Sequence, residues 1–328
     1  MRIGLWGCGN MGAGLARALV ATGEARLAAA YDTRPEATSD LADLCEAEAV
    51  ASAEALLAYP GLDGVIVALP SDLHAPAVVQ AAEAGLDIFC EKPMSLDVAH
   101  CQEMLDAVHP AGVKLMIGHV LRYYEPYRSI RRWQAEGRFG QPFGASIWRV
   151  IDGRGIESTS WRASRARSGG YLFEVSIHEL DMLRCLMGTP QTVCAVAQET
   201  ALQGREWADH IALQIRFATG RAASYEGGVG SHVRRYGFRL YFEGATLTSD
   251  ATFDRSALQV YGPGGDLVEV PASEFSAEHP VEAELRDWLA ALRGEAAVPI
   301  PGEEGMASVA LVEAAYRSAA SGRIVAYG

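Results

Sequence analysis

The sequence predicts an α/β protein with an N-terminal doubly wound parallel sheet and a C-terminal α+β domain built on a mostly antiparallel sheet. Up to residue 118, strand-like and helical segments alternate, as in βαβ units that form a parallel sheet. Further along, successive strand-like segments are joined by short glycine turns, which indicates antiparallel pairing. The length of 328 residues fits two domains and a large buried core.

In the first part, the clearest strand is Gly64–Leu69, because a continuous run of apolar and glycine residues is typical of a strand covered on both faces. The other predicted strands are Arg2–Trp6, Arg26–Tyr31, a very short Val50–Ala51, Leu86–Cys90 and Val113–Gly118. The helices predicted from apolar spacing are Met11–Ala21, Pro35–Glu48, Ala53–Ala58, Ala75–Ala84 and Leu96–Val108.

In the second part, a helix at Tyr123–Ala135, a strand at Phe143–Ile151 and a helix at Tyr171–Met187 are predicted. The polar loop 152–170 is long, and loops of such length are often functional. The strands predicted next are Val193–Gln198, Ile211–Phe217, Ala222–Gly227, Phe238–Phe242, Leu258–Tyr261 and Leu267–Val270, followed by helices Val281–Leu292 and Glu304–Ala320. We therefore divide the chain into domains 1–119 and 120–328, with the closing helix 304–320 a candidate for packing back on the first.

Composition and charge argue against several classes of protein. The chain has 41 acidic and 28 basic side chains, a net charge of −13, and an acidic surface repels nucleic acids. We see no apolar run of membrane-spanning length and expect no secretion signal. The six cysteines are scattered without the spacing of a metal site. We expect a cytoplasmic protein with reduced thiols and with neither a metal, a membrane nor a nucleic-acid partner.

The first predicted strand leads into Gly7-Cys8-Gly9-Asn10-Met11-Gly12, a G-x-G-x-x-G pattern that opens a helix. In such a motif Gly7 permits the tight turn, Gly9 leaves room for a pyrophosphate, and Gly12 lets helix and strand pack closely. The helix start, at Asn10 and Met11, offers backbone N–H groups to phosphates. The pattern predicts a dinucleotide site, and the alternative is a glycine turn with no ligand.

The next predicted strand ends at Asp32. A carboxylate at this point accepts hydrogen bonds from the ribose hydroxyls of NAD and repels the 2′-phosphate of NADP. Arg34 acts in the opposite direction, because a guanidinium there can hold a 2′-phosphate. The sequence therefore favours NAD and leaves NADP as an alternative.

Two further turns follow predicted strands at the carboxyl edge of the sheet, where ligands of open α/β sheets bind. The first turn begins with Leu69-Pro70 and runs to His74, which either faces the cofactor or packs within its own helix. The second is Glu91-Lys92-Pro93. An ammonium group can donate to a substrate hydroxyl and stabilise developing negative charge. The alternative for Lys92 is a surface turn in which it pairs with Glu91.

Taken together, these motifs resemble the Gfo/Idh/MocA family of NAD(P)-dependent oxidoreductases, which includes glucose–fructose oxidoreductase and inositol dehydrogenases. The resemblance continues through Gly118-His119-Val120-Leu121-Arg122-Tyr123, through the turn 137–142 and through the glycine-rich helix entry 169–181, so it covers nearly the whole chain. It implies a Rossmann domain that binds NAD, a second domain for substrate binding and oligomerisation, and a homodimer or homotetramer. It does not indicate which sugar or cyclitol is the substrate.

The resemblance also implies a catalytic pair, Lys92 and His178, with a supporting carboxylate four residues before the histidine. That residue is Glu174 here, where the family usually has Asp, so the reach is one methylene longer. In an α-helix Glu174, His178 and Asp181 share one face, and a carboxylate beside an imidazole orients it for proton transfer. The alternative is a solvated polar face.

The candidate residues form two sets. For the cofactor they are Gly7, Gly9, Asn10, Met11, Gly12, Asp32, Arg34, Leu69, Pro70, His74, Glu91 and Lys92. For the substrate they are Lys92, His119, Arg122, Tyr123, Trp161, Arg162 and His178, with Tyr236 a further candidate. Taken singly, His119, Arg122, Tyr123 and Tyr236 are more often structural, and Trp161-Arg162 lies in an arginine-rich loop that could be merely solvated.

We therefore expect an NAD(P)-dependent enzyme that oxidises or reduces a secondary hydroxyl of a sugar, sugar derivative or cyclitol. His178 acts as the general acid/base and Lys92 polarises the hydroxyl. Two alternatives stay open: an NAD-dependent glycoside hydrolase that oxidises its substrate transiently, and a non-catalytic NAD-binding sensor.

Overall fold

The computed structural model describes residues 1–152, 160–199 and 205–328. The chain folds into two compact units. Unit 1 comprises Met1–Val120 and Glu278–Val309, and unit 2 comprises Leu121–Ala277 and Ala310–Gly328. The predicted boundary put residues 278–309 in the second domain. In the structure, residues 278–309 group with the first unit.

Unit 1 contains a six-stranded sheet in the order β3-β2-β1-β4-β5-β6, and its pairs are parallel. The strands are β1 (Arg2–Trp6), β2 (Arg26–Tyr31), β3 (Glu48–Ala49), β4 (Gly64–Val67), β5 (Asp87–Glu91) and β6 (Leu115–Gly118). The helices are α1 (Asn10–Ala21), α2 (Pro35–Cys45), α3 (Ala53–Leu57), α4 (His74–Glu83) and α5 (Val98–Ala111). The predicted doubly wound sheet is confirmed, and its strand order reverses between β1 and β4.

Helix α2 ends earlier than predicted. The helical pattern continued to Glu48, but the helix stops at Cys45 because Glu46 adopts a left-handed conformation with φ 54°. This frees Glu48 and Ala49 to pair with β2 as the edge strand β3.

Helix α9 (Pro280–Leu292) explains why the chain returns to unit 1. Its Trp288 is fully buried and meets Phe89 of β5 edge-on, with ring centroids 5.7 Å apart. At the end of the helix, Lys114 Nζ donates a 2.6 Å hydrogen bond to Ala291 O. The last helix, α10 (Gly302–Ser321), is divided between the units, with residues 302–309 in unit 1.

Unit 2 contains a nine-stranded sheet in the order β14-β13-β12-β11-β7-β10-β9-β8-β15. Strands β7 and β10 run parallel, and the other pairs in the described part of the chain are antiparallel. This confirms the predicted mostly antiparallel sheet. The strands are β7 (Pro142–Asp152), β8 (Pro190–Gln198), β9 (His210–Phe217), β10 (Ala222–Gly228), β11 (Gly230–Phe242), β12 (Ala245–Ser249), β13 (Gln259–Tyr261), β14 (Leu267–Val268) and β15 (Val325–Ala326).

The strand pattern missed β12, which pairs with the end of β11 across the turn at Glu243-Gly244. Its threonine- and serine-rich sequence alternates buried and half-buried positions, but it carries only one large apolar side chain, Leu247. Periodicity over so short and polar a segment is a weak signal.

Two predicted helices of unit 2 differ from the structure at their N-terminal ends. Helix α6 begins at Tyr127 rather than Tyr123, because the residue before Pro126 is disfavoured in the α region. The predicted helix Tyr171–Met187 begins with a π-helical turn, Leu172–Ser176, and continues as α8 (Ile177–Met187). A short α7 (Arg165–Ser168) precedes it.

Within the described ranges, no helix combines the length and the apolar character that crossing a membrane requires.

Candidate active site

The glycine motif forms the turn between β1 and α1. Gly7 has φ 103°, a conformation that favours glycine, and a Cβ there would lie 2.5 Å from Ala68 O. A Cβ at Gly12 would lie 1.9 Å from Gly7 O. At Gly9 the nearest atom to such a Cβ is Nη2 of Arg34, 3.7 Å away. Two of the glycines are thus needed for folding, whereas Gly9 keeps space open beside the start of α1.

Gly9 is the N-cap residue of α1 and has no side chain with which to cap the helix. The N–H groups of the first helical turn, at Asn10 and Met11, are therefore left for a ligand. This open cradle at a helix N-terminus fits the pyrophosphate of a dinucleotide.

Asp32 directly follows β2 and lies beside the glycine turn. Its Oδ2 accepts a 2.8 Å hydrogen bond from Cys8 N, and its Oδ1 accepts a 2.9 Å bond from Arg34 N. The Arg34 side chain adds two bonds, from Nε at 3.1 Å and from Nη2 at 3.2 Å. Burial opposes ionisation of the carboxyl, but the Arg34 hydrogen bonds outweigh it, and the pKa of Asp32 is lowered. Asp32 is thus an ionised acceptor, as ribose binding requires.

Cys8 shares this turn but is not a reactive thiol. Burial, and next the nearby Asp32 carboxylate, raise the pKa of Cys8 to about 11. The thiol therefore stays protonated at neutral pH.

The His74 side chain is buried and bridges two backbone segments. The side chain is 1% exposed. Nδ1 lies 2.7 Å from Pro93 O and Nε2 lies 2.9 Å from Leu69 O. The ring therefore ties together the two turns that follow β4 and β5.

Lys92 lies just beyond the carboxyl end of β5 and is partly exposed. Its backbone N–H donates a 3.1 Å bond to Glu91 Oε2, and Glu91 is 8% exposed. A Cβ at Gly118 would lie 3.4 Å from Glu91 Oε1, so the glycine that ends β6 leaves room for this carboxylate. The sheet therefore presents the ammonium-bearing residue at its ligand-binding edge.

Three of the predicted substrate contacts, His119, Arg122 and Tyr123, are buried in the structure. His119 is 0% exposed and Tyr123 is 7% exposed. Arg122 donates from Nε and Nη2 to the carboxylate of Asp181, at 2.7 and 2.6 Å. Both side chains of this ion pair are buried, at 4% and 0% exposure. The bidentate pair links Arg122 to helix α8 and leaves Asp181 off any face open to a ligand.

His178 lies in the first turn of α8, partly exposed, with its Nδ1 buried. Glu174 lies in the preceding π-helical turn. The α-helical spacing that predicted one shared face for Glu174, His178 and Asp181 does not hold across this turn. Asp181 is fully buried, whereas the Glu174 side chain is 17% exposed.

Glu174 forms an ion pair that the sequence did not predict. Its Oε1 accepts a 2.5 Å hydrogen bond from Arg162 Nε. The Arg162 guanidinium also lies over the Trp161 ring, 4.4 Å from its centroid, and Arg162 O accepts a 2.9 Å bond from Trp207 Nε1. The loop that carries Trp161 and Arg162 is thus fixed next to the carboxylate of Glu174.

Two family models match this chain. One describes an oxidoreductase family with an NAD-binding Rossmann fold and matches residues 1–119; the other describes the C-terminal alpha/beta domain of the oxidoreductase family and matches residues 135–327. The chain belongs to the Gfo/Idh/MocA oxidoreductase family. This membership confirms the predicted enzyme class and NAD as the cofactor, and the cradle at Gly9 and the ionised Asp32 fit that cofactor.

Curated relatives in the Gfo/Idh/MocA family have several activities. An inositol 2-dehydrogenase of Rhizobium meliloti is 30% identical over 335 residues, which cover 98% of each protein. A 2,7-anhydro-N-acetylneuraminate hydratase of Escherichia coli is 32% identical over 229 residues, 69% of this chain and 61% of that protein. Among solved structures, levoglucosan dehydrogenase in complex with NADH has a TM-score of 0.90 at 21% identity, covering 100% of this chain and 99% of that one. At 21% identity, this structural similarity is evidence for the fold alone.

A buried polar cluster beside His178 was not predicted from the sequence. Glu179 is 0% exposed, and its Oε1 accepts hydrogen bonds from Arg149 Nη1, at 3.0 Å, and from Tyr236 OH. Burial raises the pKa of Glu179 more than Arg149 and Tyr236 lower it. One signal was present in the sequence, because Arg149 is the only charged residue of the predicted strand Phe143–Ile151.

Proposed function

We propose that this enzyme transfers a hydride between NAD and the carbon that bears a secondary hydroxyl of a sugar, sugar derivative or cyclitol. The observation that carries the proposal is the pair of partly exposed proton-handling side chains in family positions: Lys92 beyond β5 and His178 in the first turn of α8. The relative that aligns over 98% of both chains is an inositol dehydrogenase, which supports a polyol as the substrate class.

In the oxidation direction, the His178 imidazole takes the proton of the reacting hydroxyl as general base. Lys92 donates a hydrogen bond to the same oxygen and stabilises the negative charge that develops there. The C–H and O–H bonds break, a C=O bond forms, and both C–H electrons leave with the hydride. When bound, NAD supplies the hydride acceptor. In reduction, the imidazolium returns the proton to the oxygen.

Glu174 supports His178 in this proposal, and Arg162 fixes the carboxylate of Glu174 through the 2.5 Å ion pair. The glutamate is one methylene longer than the usual aspartate, and a carboxylate on so long a side chain gains orientation from a second partner. Trp161 and the exposed side of Arg162 contribute to substrate binding.

We further propose that the enzyme prefers NAD to NADP. The preference is supported by Asp32, whose ionised carboxylate repels a 2′-phosphate. The guanidinium of Arg34 is already engaged by that carboxylate through two hydrogen bonds. A ratio of kcat/KM that favours NADP over NAD would contradict this preference.

We also propose that the enzyme is a homodimer or homotetramer, as in its family, assembled through the sheet of unit 2. Light scattering of the purified protein tests this proposal, and a monomeric mass refutes it.

The roles of Lys92 and His178 are tested with a thermal-shift panel of sugars and cyclitols in the presence of NAD, followed by kinetics on the polyol that is oxidised. Lys92→Ala and His178→Ala are expected to bind NADH like the wild type and to lose turnover by several orders of magnitude. His279→Ala, which removes an exposed histidine at the N-terminal end of α9, is the matched control and should keep full activity. Near-full activity in either site variant would refute the assignment.

A redox-neutral reaction is the second candidate, because hydratases are among the relatives at 32% identity. Such a reaction would oxidise and then reduce the substrate within each turnover, with bound NAD as the transient hydride acceptor, as in the hydrolase alternative. Product formation without net NADH release distinguishes this candidate from the dehydrogenase. A protein that binds NAD but gives no product from the whole panel would instead be a sensor.

A further inference from the structure

Arg149 of β7 contacts the segment Tyr171–Met187 at three residues. Tyr171 OH donates a 2.7 Å hydrogen bond to Arg149 O. Arg149 Nη1 donates to Val175 O at 3.4 Å and to Glu179 Oε1 at 3.0 Å. The three partners are spaced four residues apart along the segment, and all three contact Arg149. One strand residue therefore contacts the segment before, within and after the π-helical turn.

The held segment is not a regular helix. Leu172–Ser176 is π-helical and Ile177 begins α8. A π-helical turn shifts the backbone hydrogen-bond pattern by one residue, so contacts outside the helix help to determine how the next turn is rotated. Val175, whose carbonyl accepts from Arg149, lies within this turn.

Three tyrosines bracket the same irregular turn. Leu172 N donates to Tyr316 OH at 3.2 Å, where the π-helical turn begins. Tyr225 OH donates to Ser176 Oγ at 2.6 Å, where it ends. Beyond it, Tyr236 of β11 donates to Glu179. The rotation of the segment is thus held by polar contacts from the sheet and from α10.

In this cluster Glu179 is fully buried and Arg149 is mostly buried. Side-chain exposure is 21% for Arg149 and 0% for Glu179, and the guanidinium lies over the Tyr236 ring at 4.8 Å. A buried ion pair is often no more stabilising than apolar residues of the same volume. The contribution of the Arg149–Glu179 ion pair to stability therefore does not explain its presence, whereas a role in orienting the helical segment does.

We propose that Arg149 is a positioning residue for the catalytic helix: it fixes the rotation of the π-to-α junction and thereby the direction in which Glu174 and His178 project. These two residues each precede an Arg149 contact, Val175 or Glu179, by one position. Because Glu174 and His178 are bonded directly to Val175 and Glu179, holding these two contact residues in place restricts the direction in which the Glu174 and His178 side chains project. The inference rests on the proposed role of His178 as general acid/base.

The variants must distinguish a displaced His178 side chain from a protein that no longer folds. Arg149→Met alone leaves the buried Glu179 without its cation, so it is combined with Glu179→Gln. The glutamine keeps an oxygen acceptor for Tyr236 and removes the unbalanced charge. Arg149→Lys keeps a cation with several N–H donors and is the conservative rescue. Arg323→Met removes an exposed arginine of unit 2 that follows α10 and lies outside the sheet, and it is the matched control.

On the polyol that the wild type oxidises, Arg149→Met/Glu179→Gln is expected to lower kcat by about 10- to 100-fold, since small misplacements of catalytic groups have effects of this size. The KM for NAD should stay within about threefold, because Arg149 lies in unit 2 rather than in the Rossmann unit. Arg149→Lys should recover most of kcat, and Arg323→Met should behave as the wild type.

A substrate-free measurement makes the test independent of turnover. In a proton–carbon spectrum of the histidine rings, with His178→Gln providing the assignment, the double variant should move the His178 cross-peak and leave most of the other seven in place. The lysine variant should restore its position. A folded double variant with an unmoved His178 cross-peak, or with wild-type kcat, overturns the positioning role. If His178→Ala itself keeps full activity, the proposed function fails instead.

Discussion

Alanine substitutions at Gly9 and Gly12 should separate cofactor binding from folding. The two glycines are three residues apart in one turn, yet a Cβ meets different surroundings at each. At Gly12 it would lie 1.9 Å from the backbone oxygen of Gly7, whereas at Gly9 the nearest atom is 3.7 Å away. Gly9 has φ −71°, which alanine adopts freely. We therefore expect Gly12→Ala to destabilise unit 1 and Gly9→Ala to leave its stability unchanged.

The magnitudes follow from these distances. Overpacking against backbone that cannot move away costs about 1–3 kcal/mol, which for a unit of this size lowers Tm by about 2–12 °C. The Gly9→Ala methyl group instead occupies the approach of the pyrophosphate. Losing one hydrogen bond to a charged group costs about 1.5–3 kcal/mol, so the Kd for NADH should rise by roughly 10- to 150-fold.

Thermal unfolding without cofactor and fluorescence titration with NADH measure the two effects separately. The expected result is a wild-type Tm with weak NADH binding for Gly9→Ala, and a lowered Tm for Gly12→Ala. Wild-type NADH affinity in Gly9→Ala would refute the assignment of the pyrophosphate to this turn. An equal loss of Tm in both variants would refute the distinction between them.

Three further predictions concern stability. Asp181→Asn should lower the free energy of unfolding, measured by urea denaturation, by about 3–5 kcal/mol, because it leaves the buried Arg122 without its carboxylate. The double variant Arg122→Met/Asp181→Leu removes both charges and should show a smaller loss in the same measurement. Trp288→Ala should cost about 3–5 kcal/mol, measured in the same way, and a loss below 1 kcal/mol would contradict the packing of α9 on Phe89. The pKa of Asp32 is lowered from 3.8, so the stability it adds is fully present above the unfolded-state value and is lost as pH falls through the lower folded value. The stability difference between wild type and Asp32→Asn should therefore shrink on acidification below about pH 4, and a difference that grows would contradict the role of Arg34.

The cofactor half of the site could be predicted from the sequence because its determinants are local. The tight turn at Gly7 and the end of β2 at Asp32 are encoded by short-range patterns, and parallel strands bring their carboxyl ends to one edge of a sheet. Lys92 follows the same rule, since β5 leads directly to it. Such residues can be located without knowing how distant segments pack.

The substrate half of the site could not be predicted in the same way, because it depends on contacts between segments that are distant in the sequence. Arg122 and Asp181 are 59 residues apart, and their pairing buries the Arg122 side chain against helix α8. Nothing in a polar residue type reveals that Glu179 is buried or that Glu174 pairs with Arg162. The π-helical turn was also unpredictable, because its sequence fits an α-helix and tertiary contacts select the alternative.

Isotope transfer tests direct hydride transfer from a polyol carbon most directly. The polyol that the wild-type enzyme oxidises is deuterated at the reacting carbon, and the NADH produced is analysed by mass spectrometry. We expect one deuterium at the nicotinamide ring of each NADH formed, and none above background with His178→Ala. NADH that carries no deuterium, or product that accumulates without any net NADH, would contradict the proposed dehydrogenase.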